Sequence, residues 1–274
     1  MGRFDWLETE VAKIQKASSE KERFDVNYYL QEAEKLFREG GYETALRSYS
    51  KALGEDPTAI PAWLGQVRCL LDLDELKEAR VWVNKALEKF PESAELLSIK
   101  AVVLARMYEI NEALVLSNRA ISKKEPSKYI WLDRGFVLLS DNDETNAEHC
   151  FSKVLEGNPL EPFFNLRIGI CYLDCKKFEK AKIYLEKCAN ISASNPLVWY
   201  KLGQCNEGLG FIDRALWCYE KSLALKPEFT KEVESVIQNL KGRGIFSKLK
   251  NRLKYFCVFL CGKVFELIIW MIGI

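Results

Sequence analysis

A single histidine, His149, stands among 274 residues, which removes most chemistry built on imidazole, from general-base catalysis to zinc ligation. On a helix beside Cys150 it reads as a packing or surface residue. There is no phosphate-cradling Gly-rich loop, dinucleotide fingerprint or nucleophile elbow. Cys-x-x-Cys pairs are missing too: Cys171 and Cys175 share a helix face, but no histidine lies near to complete a zinc set. Strand-like alternation and Asn-Gly hairpin signals are absent, whereas apolar residues recur at helical spacing throughout. An excess of either charge is missing, with 40 basic against 39 acidic residues and a net +1. These absences leave no catalytic residue, metal or cofactor to assign, so the expectation is a chain that is not an enzyme.

What is present is a period. Ala45, Ala79, Ala113, Ala147, Ala181 and Ala215 each follow the last by 34 residues. Twelve places before each lies a small residue: Ala33, Val67, Ala101, Gly135, Gly169, Gly203. Four places earlier again lie Tyr29, Trp63, Leu97, Trp131, Asn165 and Trp199. Seven places after each alanine stand Ala52, Ala86, Ala120, Val154, Cys188 and Ser222. Pro57, Pro91, Pro159 and Pro227 close four units, and Pro126 closes another one place late. A 34-residue unit is one helical hairpin, which cannot bury its own apolar face and is stable only when stacked. Cys69, Cys171 and Cys205 share one place in the unit, as Cys150 and Cys218 share another. They are therefore small packing residues, and their free thiols suit a reducing cytosol.

Trp131, Gly135, Ala147, Phe151 and Pro159, and likewise Trp199, Leu202, Gly203, Ala215, Tyr219 and Pro227, carry a resemblance to the tetratricopeptide repeat family. The third unit departs from its pattern at Leu97 and Ser117, and the fifth at Asn165 and Ala193. The resemblance implies an all-α fold, a right-handed α-solenoid of six hairpins at 26–59, 60–93, 94–127, 128–161, 162–195 and 196–229. It also implies a concave face, built from the first helix of each repeat, that binds a protein or peptide. By position that groove is lined by Leu64, Arg68, Leu71, Val102, Arg106, Tyr129, Leu132, Phe136, Leu139, Phe163, Leu166, Ile170, Leu173, Tyr200 and Gln204. Some of these positions are alternatively core, since a superhelix buries part of its inner wall. The family's carboxylate clamp is absent, because Leu30, Glu34 and Gly65 occupy the places its Lys and Asn residues need.

The ends differ from the repeats. Phe4, Leu7, Val11 and Ile14 predict an amphipathic capping helix within residues 1–25, with Asp5, Glu8 and Glu10 arguing against a secretory signal. Residues 228–241 read as a capping helix with an apolar stripe at Val233, Val236, Ile237 and Leu240. Residues 241–274 carry seven Lys or Arg and one Glu; the other 240 residues hold 33 basic and 38 acidic side chains, a net −5. A mildly acidic body argues against nucleic acid as partner. Within the 242–274 tail, Lys248, Lys250, Arg252 and Lys254 surround Ile245, Phe246, Leu249 and Leu253, a composition suited to an anionic membrane surface.

Residues 255–274 then offer twenty positions with two charges, Lys263 and Glu266. Eleven Phe, Val, Leu or Ile side chains there favour the bilayer by roughly 3–7 kcal/mol, and the two charges oppose it by about 5–7 kcal/mol. A tail anchor, an in-plane membrane helix and a helix docked in protein, or in this chain's own groove, all stay open. The expectation is a scaffold or adaptor held through residues 245–274 at the cytoplasmic face of a membrane. The alternative is a soluble accessory subunit. Oligomeric state is not legible.

Overall fold

The computed structural model describes residues 6–7, 25–123 and 125–242. Among these, twelve α-helices run from Val26 to Ala224 with no strand. They are α1 (Val26–Glu39), α2 (Tyr42–Glu55), α3 (Ile60–Asp72), α4 (Leu76–Lys89), α5 (Ala94–Arg106), α6 (Ile110–Ile121), α7 (Lys128–Ser140), α8 (Glu144–Leu155), α9 (Pro162–Asp174), α10 (Phe178–Ile191), α11 (Pro196–Gly208) and α12 (Ile212–Ala224). Odd-numbered helices begin at 26, 60, 94, 128, 162 and 196, and even-numbered ones at 42, 76, 110, 144, 178 and 212, so both series keep the 34-residue step.

The step has a backbone cause. The turn between the helices of each pair carries one left-handed residue, at Gly40 (φ 89°), Asp74 (61°), Tyr108 (65°), Asn142 (64°), Lys176 (58°) and Gly210 (79°), again 34 apart. That conformation ends a helix by returning N–H groups to its last carbonyls, as Gly41 does to Leu36 O at 2.9 Å and Lys177 to Tyr172 O at 2.8 Å. Glycine adopts it freely, while Tyr108 holds it against a steric penalty of roughly 1–2 kcal/mol with its ring 90% exposed.

Small residues let each pair of helices close up. All six periodic alanines are fully buried. A Cβ built on Gly135 would lie 2.3 Å from the Phe151 ring, so the second-helix ring occupies the space a side chain would fill. Where the family pattern fails, the chemistry is replaced. Trp63 and Trp199 donate from Nε1 to the carbonyls of Pro57 (3.0 Å) and Ala193 (2.7 Å), six residues earlier. Asn165 has no indole, yet its Nδ2 donates to Pro159 O, also six residues back, at 3.0 Å.

Of the expected N-terminal cap only Trp6 and Leu7 are described; both are helical, Leu7 is fully buried, and the Arg47 guanidinium lies 5.5 Å over the Trp6 ring. Phe4, Val11 and Ile14 lie outside the described residues. Residues 230–242 form a further helix, α13, in a second compact unit. It buries Val233, Ile237 and Leu240 and includes Gly242, one place beyond the expected end at 241. Among the described residues no helix is long and apolar enough to cross a membrane. The membrane expectation, with Lys248, Lys250, Arg252 and Lys254, lies outside them.

Candidate interaction surface

The first helices α1, α3, α5, α7, α9 and α11 pack against one another along one wall of the repeat unit, and that wall is not an open trough. Nine of the fifteen anticipated groove residues are buried: Arg68, Leu71, Val102, Leu132, Phe136, Leu139, Phe163, Leu166 and Ile170. Leu64, Arg106, Tyr129, Leu173, Tyr200 and Gln204 are half-buried. The reason is that side chains of non-adjacent repeats meet across the wall.

Three charged contacts span it. Arg68 of α3 makes a two-pronged pair with Asp133 of α7, 3.2 Å on each side, and Ser98 Oγ donates to the same carboxylate at 3.1 Å. Arg167 of α9 grips Asp72 of α3 at 3.0 and 2.8 Å. Arg106 of α5 donates to Leu71 O at 2.7 Å and approaches Asp174 of α9 at 3.9 Å. Burial, the largest single influence, pulls the Arg68 and Arg167 guanidinium groups down, but Asp133 with Tyr129 at Arg68, and Asp72 with Tyr42 and Cys171 at Arg167, together outweigh it, so both are raised. Both arginines thus sit charged in a poorly hydrated place, where removing the facing carboxylate leaves an uncompensated ion. Burial pushes the Asp174 carboxyl up against the pull of Arg106 and Lys201, and pulls the Lys201 amine down against the pull of Asp174. Rings line the same space: Tyr129 lies 4.2 Å under Arg68 and Phe37 5.4 Å from Arg167.

A second feature follows from this curvature: the first repeat meets the fifth and sixth. Phe37 and Phe163 rings are 6.4 Å apart, and the Arg38 guanidinium lies 4.2 Å over Phe163. Asn195 Nδ2 donates to Arg38 O at 3.0 Å across 157 residues of sequence. Beside this seam is a cleft of about 990 Å³. Leu30, Lys35 and Glu39 line it from the first repeat, and Ser194, Leu225 and Glu228 from the far end.

Asp72, Asp133, Arg167, Asp174, Lys201, Phe37 and Asn195 were not singled out by sequence. The available signal was a charge set inside an apolar first helix, as Asp133 and Arg167 are. Its partner, 65 or 95 residues away, carries no local mark. The cysteines behave as packing groups. Burial pushes the thiols of Cys175, Cys205 and Cys218 up to about 11 and that of Cys188 to about 12. Among the described residues no cluster of His, Cys, Asp and Glu is placed to hold a metal ion.

A stack of helical hairpins on a 34-residue step, with an inner wall of first helices, defines an α-solenoid. Residues 36–103 and 164–195 each match a family model described as tetratricopeptide repeat. Over these two stretches the chain carries tetratricopeptide repeats. It is 26% identical over 142 residues to human tetratricopeptide repeat protein 13, covering 50% of this chain and 16% of that one. It is 22% identical over 211 residues to anaphase-promoting complex subunit 3 of Schizosaccharomyces pombe, covering 76% of this chain and 31% of that one. The chain thus spans less than a third of the length of these relatives. In fold it is similar to the human IFIT1 dimer solved with m7Gppp-AAAA, with a TM-score of 0.60, 16% identity, and coverage of 90% of this chain and 60% of that one.

Proposed function

We propose that this protein is a non-catalytic scaffold or adaptor of six tetratricopeptide repeats. A peptide segment of a partner enters at the cleft beside the seam and reaches the half-buried part of the inner wall, and residues 245–274 hold the protein at the cytoplasmic face of a membrane. The observation that carries the reading is the cleft itself. Its volume of about 990 Å³ suits several side chains of a peptide, and it mixes apolar Leu30 and Leu225 with charges of both signs. Tethering is supported by the tail's composition, a basic amphipathic stretch followed by twenty residues with two charges. The likeness to an RNA-bound solenoid favours no RNA reading here, because the inner-wall arginines are already matched by Asp72, Asp133 and Asp174, whereas phosphate recognition needs unspent positive charge.

Two experiments test the two halves. A photo-crosslinking amino acid at Leu30 is expected to trap a discrete partner that the same group at exposed Val115, on the outer face, does not. Equal trapping from both positions removes the cleft from the proposal. Full-length protein is expected to pellet with membranes while a chain ending at Arg243 does not, and resistance to carbonate identifies a spanning tail. If both stay soluble, the accessory-subunit alternative replaces tethering.

A further inference from the structure

We infer that the contacts between the first repeat and the fifth and sixth are a clasp that opens without unfolding any repeat, so that the inner wall alternates between closed and accessible. The inference rests on reading that wall as the interaction surface, and adds how access to it is controlled.

In a solenoid each unit is stabilised by its own hairpin and its immediate neighbours. The contacts between Arg38 and Asn195, Phe37 and Phe163, Arg68 and Asp133, and Arg167 and Asp72 belong to neither class, since each joins units two or more apart. Separating them leaves the hairpin cores around Phe151, Leu185 and Tyr219 intact. The composition of the crossing contacts also differs from a hairpin core. They are mostly arginine, carboxylate and amide groups, which water re-solvates on separation, as at interfaces between domains that move. Half-buried Lys201 and Asp174, whose side chain is 29% exposed, lie on the same wall, and both are held away from their ordinary protonation equilibria by desolvation that opening would relieve. Closure conceals an apolar strip, Val102, Phe136 and Ile170, at 9%, 6% and 4% exposure.

The seam supplies its own test. A Cβ on Gly41 would lie 2.8 Å from the Glu228 carboxyl carbon, and Gly41 has an ordinary φ of −76°. The Glu228 Cβ lies two bonds back from that carbon, so the two Cβ atoms stand within about 5 Å, and a disulfide between Gly41→Cys and Glu228→Cys, which needs about 3.8 Å, closes with a small shift of the seam. Amide hydrogen exchange is measured on the full-length double variant, oxidised and reduced, with wild type alongside. Expected is that oxidation slows exchange at least tenfold in α7 and α9, while the reduced form matches wild type and α6 and α8 are unchanged. Equal exchange in the two forms, or failure of the folded protein to form the bond, overturns the clasp.

Arg38→Ala, at an exposed residue, is an independent check if the double variant does not fold. It should speed exchange in α7 and α9 several-fold and leave α6 unmoved; uniform or absent change overturns the inference. Neither result bears on crosslinking from Leu30, so a failed clasp and a failed scaffold are told apart.

Discussion

The interior of each hairpin and the inner wall are built from the same first helices but obey different rules. Inside the hairpins the residue at a given place hardly varies from unit to unit: a buried alanine, a small residue, a ring or branched side chain facing it. On the wall almost nothing repeats. The places occupied by Arg38, Asp72, Arg106, Ser140 and Asp174 are equivalent, yet their charges read plus, minus, plus, neutral, minus. Repetition encodes stacking, which every unit needs alike. Departure from repetition encodes contacts between particular units, which only a unique side chain at each level can specify.

The sharpest way to break this comparison is to strike each region once. Phe151→Ala, inside a hairpin, is expected to lose about 3–5 kcal/mol in urea unfolding, because Phe151 is fully buried. Asp133→Ala, on the wall, should lose about 3 kcal/mol by stranding Arg68. The two regions separate in the double variants: Arg68→Met with Asp133→Leu should recover most of that loss, whereas no charge-free partner rescues Phe151→Ala. If the wall double variant stays as unstable as Asp133→Ala, the pair is structural in the same sense as the core.

Lys201→Met probes the wall by pH. The folded protein holds this amine below its ordinary pKa, so it binds fewer protons there than when unfolded. The penalty is complete below the folded pKa and fades as pH rises to that of the unfolded amine, near 10.4. Removing the amine should therefore raise the melting temperature at pH 7 and leave it unchanged near pH 10.5. A gain that persists at high pH would be packing, not charge.

Tyr108→Gly sharpens the turn series. It relieves left-handed strain but frees the unfolded chain, leaving a net gain of ~0.5 kcal/mol in the same unfolding measurement. The smallest effect concerns the thiols: with Cys175, Cys188, Cys205 and Cys218 raised to about 11 or 12, alkylation at pH 8 should leave these four untouched until denaturant is added.

The hairpins were legible because their determinants lie within 34 residues and recur. Even Asn165, which looked like a defect beside Trp63 and Trp199, makes the same bond to a carbonyl six residues back. The turns were half legible. Gly40, Gly210 and Asn142 suit a left-handed backbone by chemistry, but Tyr108 and Lys176 take it because helices on either side require it. The wall was legible in location and not in state. Val102, Phe136 and Ile170 are buried, but how far the superhelix turns, and hence whether Arg167 meets Asp72, depends on small rotations accumulated over several units. No local pattern reports such a sum.

The crossing pairs also bear on how this protein can change length in evolution. Repeat arrays ordinarily gain or lose a unit with little consequence, since each junction resembles the next. Here Arg68 and Asp133 stand two units apart, and Arg167 and Asp72 three. Excising residues 94–127 would leave every junction chemically acceptable and yet bring both pairs out of step by one unit. The charges act as a tally: a duplication or deletion that leaves the junctions intact would here strand Arg68, Asp72, Asp133 and Arg167 away from their partners.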